Sequence, residues 1–180
     1  MIVVILGLPG AGKSYLAEKV AKEYDALYLN SDKIKKGNPP VIDYQDLAKN
    51  QGYEEMFLFL NEALAEEKNV VLDATFYKKA LRNKILKLAD QKGVSVYFIE
   101  VVASTRVTHE RIMKQRKYSD EDLKIYQKVK EQFDPLEVHH LSLRSDRLSI
   151  TEMLRQVKEF IPMKEGMAEA PNKSLTKLKK

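Results

Sequence analysis

The stretch Gly7-Leu8-Pro9-Gly10-Ala11-Gly12-Lys13-Ser14, directly behind the apolar run Ile2 to Leu6, constrains this chain more than any other. A glycine, four residues and then Gly-Lys-Ser is the spacing of a phosphate-binding P-loop. Gly7, Gly10 and Gly12 free the backbone to turn its N–H groups toward phosphate oxygens. Lys13 then reaches the β- and γ-phosphates, and the Ser14 hydroxyl suits Mg²⁺. From Tyr15 to Tyr24 the apolar residues Leu16, Val20 and Ala21 keep helical spacing, so a helix follows with its positive end aimed at the same anion. The expected nucleotide contacts are Gly7, Pro9, Gly10, Ala11, Gly12, Lys13, Ser14 and Tyr15. A buried strand, a glycine loop and a helix in that order call for an α/β fold.

At 180 residues the chain is long enough for one domain with a full core. It has no cysteine, which rules out disulfides, thiolate catalysis and cysteine-ligated zinc. The first apolar run is too short for a membrane span or a signal peptide, and a soluble, cytoplasmic, monomeric protein is expected. The net charge of +5 hints at an acidic partner, but the tail from Met163 to Lys180 holds five lysines and two glutamates and so carries +3 of it. That tail has no sustained apolar face and is expected to be disordered. The organisation expected is one nucleotide-binding domain over residues 1–162, with the tail at 163–180.

Along the chain, strands are expected at Ala26–Asn30, Asn69–Ala74, Val94–Val102 and a short stretch from His139 through Leu143. Between them Tyr53–Glu67 and Lys78–Gln91 repeat apolar residues at three- and four-residue steps, with Gly93 placed for a left-handed cap. Gly37-Asn38-Pro39-Pro40 breaks the pattern before an irregular excursion over Val41 to Gln51. Ser119 to Asp122 and Ser149 to Glu152 read as capping boxes, opening helices that run to about Phe133 and Ile161. Strands alternating with helices and crossovers of this length give a three-layer α/β/α sandwich around a parallel sheet.

Three groups beyond the loop are candidates for chemistry. Asp32, just past the second strand, can point into the crevice at the carboxyl end of the sheet and accept a hydrogen bond from an acceptor hydroxyl; the bland alternative is that Ser31-Asp32 caps the next helix. Lys35, one turn on, would face the same crevice and hold an anionic group of the acceptor. Asp73 ends an apolar strand, where a buried carboxylate needs a partner; Mg²⁺ support or acceptor contact supplies one. The segment Ser104 to Lys117 sets Arg106, Arg111, Lys114, Arg116 and Lys117 against one acid, Glu110, and suits a lid over a triphosphate at about residues 104–120. Arg111 and Arg116 lie about 140° apart on a continuous helix, so both face the phosphates only if the helix ends or bends between them. His139 and His140 point to opposite faces of a strand, a poor geometry for a shared metal.

The segments GLPGAGKS, LNSDKIKK, VVLDATFYKKALRNK, THERIMKQRKYSDEDL and HHLSLRSDRLSITEML, in that order, resemble the P-loop kinase family that includes the kinase domain of polynucleotide kinase, the seryl-tRNA kinase and the zeta toxins. The resemblance covers about residues 1–161. It implies transfer of the γ-phosphate of ATP to a hydroxyl, with Asp32 at the general-base position, Lys13 and Ser14 on donor and magnesium, and Arg111 or Arg116 as the lid arginine. It implies a five-stranded sheet ordered 2-3-1-4-5 under a helical lid. Arg82 matches a basic position after the third-strand motif, which puts it with Asp32, Lys35 and Asp73 on the substrate side. The acceptors in view are a polynucleotide end, a nucleoside or nucleotide, and a small metabolite. The runner-up from another class is a nucleotide-dependent switch or remodelling ATPase acting on a protein partner.

Overall fold

Five apolar segments pair into one parallel sheet. In a computed structural model, which describes residues 1–35, 51–114 and 120–162, the strands are β1 (Ile2–Leu6), β2 (Leu27–Asn30), β3 (Val70–Asp73), β4 (Val96–Val102) and β5 (His140–Arg144). Their order is β2-β3-β1-β4-β5, as expected, and every pairing is parallel. Strands β1 and β3 are buried along their whole length, which is why both read as unbroken apolar runs rather than as alternations. The expected excursion from Val41 up to Asn50, Ser119 of the first capping box and the tail from Met163 lie outside the described residues.

The helices are α1 (Lys13–Glu23), α2 (Ser31–Lys35), α3 (Gln51–Ala65), α4 (Lys79–Lys92), α5 (Thr105–Lys114), α6 (Asp120–Glu131) and α7 (Ile150–Phe160). Two cores follow from the strand alternation. Val3, Ile5, Val71 and Ile99 meet Leu16, Val20, Met153 and Val157 of α1 and α7. On the other face Ile2, Val4, Leu6 and Leu72 meet Met56, Leu60, Leu81 and Ile85 of α3 and α4. The outcome is the three-layer sandwich.

Several local signals act as their chemistry requires. Gly93 closes α4 in the left-handed region at φ 63°. Ser149 caps α7 by accepting the Glu152 N–H at 3.2 Å, but the cap is one-sided: the Glu152 carboxylate accepts from Arg155 and Gln156 instead. His139 stacks near Phe160 while His140 lies beside Glu100, so the two rings face opposite ways.

Gly7 is the position with least room. Its φ is 139°, and a Cβ there would sit 2.2 Å from the Val101 carbonyl oxygen, a backbone atom that cannot swing away. Gly7→Ala therefore forces β1 and β4 apart where the loop begins. Overpacking and backbone strain each cost about 1–3 kcal/mol, and urea unfolding should show a loss in that range or somewhat above it. Unchanged stability would mean the junction is softer than its packing implies.

Candidate nucleotide site

Helix α1 starts immediately behind the loop, and Gly12, its N-cap residue, offers no side chain to its first N–H groups. The first turn also lacks an acid. A helix of 11 residues with such an end presents donors and a positive dipole to an anion. The Lys13 ammonium lies back along the loop and donates to the Leu8 carbonyl at 3.0 Å. Burial, the largest influence, pulls its pKa below the usual lysine value, while Asp73 and then Asp32 act to raise it. Two carboxylates in electrostatic reach thus favour the charged amine that a polyphosphate needs.

Those carboxylates come from neighbouring strand ends. Asp73, the last residue of β3, is 1% exposed and pairs in register with Ile5 of β1 on one side and Asn30 of β2 on the other. All three point to the α1 face, which brings Asp73 beside Ser14. Its Oδ2 accepts from the Tyr28 hydroxyl at 2.7 Å and from Asn30 Nδ2. Asn30 Nδ2 also lies 3.4 Å from Ser14 Oγ. Burial and the bond to Asp73 push the Tyr28 hydroxyl pKa upward, so it stays a donor at neutral pH. Asp32 is exposed in the first turn of α2. The helix is capped by Asn30, whose Oδ1 accepts the N–H groups of Asp32 at 3.0 Å and Lys33 at 2.9 Å. The side chain of Asp32 is therefore not needed as the cap.

On the far side α5 lies against the loop. A Cβ on Gly10 would come within 2.7 Å of Ile112 Cγ1 and 2.9 Å of the Thr108 carbonyl oxygen, so only glycine lets the helix approach this closely. Arg111 donates from Nη1 to Ser145 Oγ at 2.8 Å and to the carbonyls of Ala11 and Gly10 at 3.3 and 3.4 Å, and from Nη2 to the Ser145 carbonyl at 3.0 Å. Ser145 Oγ in turn donates to the Ala11 carbonyl. Arg111 was expected to face phosphate as a lid arginine; here it reaches the P-loop by gripping the carbonyls of Gly10 and Ala11. Arg116 and the Lys35 side chain lie outside what the structure describes. A cleft of about 220 Å³ opens between Gly7, Leu8, Glu100, Thr108 and Phe133, next to the loop.

Arg82 is the correction. The position after β3 suggested a substrate contact, yet its side chain is 2% exposed and its guanidinium donates to four carbonyls: Phe76, Tyr77, Asp134 and Pro135, at 2.7–3.2 Å. It fastens the loop after β3 to the segment after α6. Three residues that matter to the site escaped the sequence reading: Tyr28, Asn30 and Ser145. A polar residue at a strand's carboxyl end is the one signal that could have flagged Asn30; Ser145 follows the end of β5 in the same way.

The strand order, the glycine loop and the helix behind it make this the fold of P-loop kinases. A family model described as AAA domain matches residues 2–136, and the chain belongs to that family. Among solved structures it is similar to a sugar kinase from Janibacter sp., 17% identical over 88% of this chain and 92% of that one, with a TM-score of 0.63. It is similar to the Mycobacterium tuberculosis APS kinase CysC in complex with AMPPNP and APS, 20% identical over 88% and 95%, TM-score 0.63. Chaetomium thermophilum Kti12 in complex with ADP-AlF3 matches at 15% over 89% and 99%, TM-score 0.60.

Proposed function

We propose that the chain is an ATP-dependent kinase that moves the γ-phosphate of ATP to the hydroxyl of an acceptor bound beside Asp32. The observation that carries this is the convergence of Lys13, Ser14, Asp73 and Asp32 at the carboxyl ends of β1, β2 and β3, around one glycine loop. Lys13 and the N–H groups of the loop hold the polyphosphate. Ser14 and Asp73 offer hard oxygen donors, which fit Mg²⁺ bound by few protein groups and completed by phosphate and water. When bound, the ion neutralises charge on the transferring group.

Asp32 is free to orient an acceptor hydroxyl and to take its proton as the phosphoryl group arrives. Because phosphoryl transfer has a loose transition state, placement in line counts as much as proton removal. Arg111 closes the donor side by holding α5 against the loop. The acceptor class is a polynucleotide end, a nucleoside or nucleotide, or a small metabolite; the sugar kinase of similar fold supports the last of these. A label-transfer screen over 5′-hydroxyl oligonucleotides, nucleosides, nucleotides and sugars picks out the class.

The donor half is tested separately. Mg²⁺-ATP at 100 times its dissociation constant should stabilise the chain by about 2.7 kcal/mol, seen as a rise in Tm of about 5–10 °C. Lys13→Ala should abolish most of that rise while leaving the Tm without nucleotide close to the wild-type value. An equal rise in the variant would remove Lys13 from the donor site.

A further inference from the structure

Asn30 stands where the two halves of the proposed site meet. Its side chain is buried, with 7% of the residue exposed. The orientation of the amide is fixed by its neighbours: two backbone N–H groups, of Asp32 and Lys33, converge on one atom and require the carbonyl oxygen there. The amino group must then face the Asp73 carboxylate, Ser14 Oγ and the Tyr28 hydroxyl, 3.2 Å away. Asn30 and Asp73 are register partners on adjacent strands, so the contact is set by the sheet and not by a flexible loop.

One planar group therefore links α2, which carries Asp32, to the two oxygens offered to magnesium. A serine or threonine could cap α2 but has no amino group to send the other way. An aspartate could cap it too but would set a second carboxylate against Asp73. Asparagine is the residue that both caps and donates.

We infer that Asn30 is a positioning residue for phosphoryl transfer: it fixes the acceptor-side carboxylate, Asp32, relative to the magnesium-side pair, Ser14 and Asp73. The inference rests on the kinase reading of this site. A group that acts through its neighbours in this way is worth about 10- to 100-fold in metal affinity or activity.

Two variants separate the cap from the link. Asn30→Ser keeps an oxygen for the N–H groups of α2 and loses the amino donor; Asn30→Ala loses both. Thermal unfolding, transfer kinetics with the best acceptor, and binding of a fluorescent ATP analogue with and without Mg²⁺ are measured on the full chain. Both variants should lose about 10- to 100-fold in kcat with little change in acceptor KM. Both should bind the analogue like the wild type without Mg²⁺ and gain less affinity than the wild type when Mg²⁺ is added. Both lose the donor to the buried Asp73 carboxylate and some thermal stability with it, and Asn30→Ala, which also loses the cap, should lose more. If Asn30→Ser transfers phosphate at the wild-type rate, Asn30 is a helix cap and nothing more. If the wild type labels no acceptor, the kinase reading fails, and the Mg²⁺ arm then decides Asn30: an unchanged Mg²⁺ response in both variants overturns the inference.

Discussion

Asp32→Ala should lower phosphoryl transfer by about 100- to 10,000-fold, the range for a positioned acid or base, while ATP affinity stays within about twofold of wild type. The split follows from where Asp32 sits. It is exposed on α2, beyond the end of β2, and the loop that would hold ATP makes its contacts through Lys13, Ser14 and backbone N–H groups. Removing Asp32 takes away one of two carboxylates that favour the Lys13 ammonium, and Asp73, the stronger of the two, remains. The loss should therefore appear in kcat and not in ATP binding. Asp32→Asn sharpens the result, because it keeps the shape and a hydrogen-bond acceptor but cannot take a proton. If orientation carries most of the effect, Asn retains more activity than Ala; if proton transfer does, the two variants fall together. Turnover at the wild-type rate in Asp32→Ala would remove the residue from the site.

Arg82→Leu should cost about 3–5 kcal/mol of stability, because several buried carbonyls lose their donor at roughly 1–3 kcal/mol each and relax in part. For a chain of 180 residues that corresponds to a fall in Tm of about 6–20 °C. The loop it holds is under strain: Phe76 is fully buried at φ 44°, a region a bulky side chain rarely enters. Phe76 is held from three sides, by Arg82 on its carbonyl, by the Tyr53 hydroxyl on its N–H at 3.2 Å, and by the Tyr53 ring 5.4 Å away. Arg82→Lys should rescue little, since one ammonium cannot span the carbonyls of two segments that a planar guanidinium reaches. Urea unfolding, run beside transfer kinetics, tests this structural role of Arg82. A variant that loses acceptor binding at full stability would return Arg82 to the substrate side.

The contrast between Asp73 and Arg82 shows what the sequence made legible. Asp73 ends a run of apolar residues, and a carboxylate in that place needs a partner whatever the tertiary fold, so it could be found from local pattern alone. Arg82 lies on a helix on which Lys79 and Lys84 are exposed and paired with Glu137 and Glu54. Nothing local separates a solvated cation from one whose partners lie 52 and 53 residues away. Asn30 and Ser145 were hidden for the same reason. Their roles depend on strands 43 residues apart meeting in register and on a hydroxyl reaching a loop 134 residues back. The sandwich itself was readable from the alternation of strand and helix, and the strand order from the resemblance to P-loop kinases. Arg111 was expected to meet phosphate; the structure has it holding the carbonyls of Gly10 and Ala11, a contact that no charge count along the helix reveals.

The central claim is that the glycine loop is the donor half of a transfer site, and the fate of the γ-phosphate tests it most directly. Terminally labelled ATP is incubated with the chain alone and then with each acceptor class, and both free phosphate and labelled acceptor are counted. The account predicts slow release of phosphate without acceptor and label on one class of hydroxyl, lost in Asp32→Ala. Rapid phosphate release with no labelled acceptor, or release that rises only when a protein partner is added, would contradict it and identify a hydrolytic switch instead.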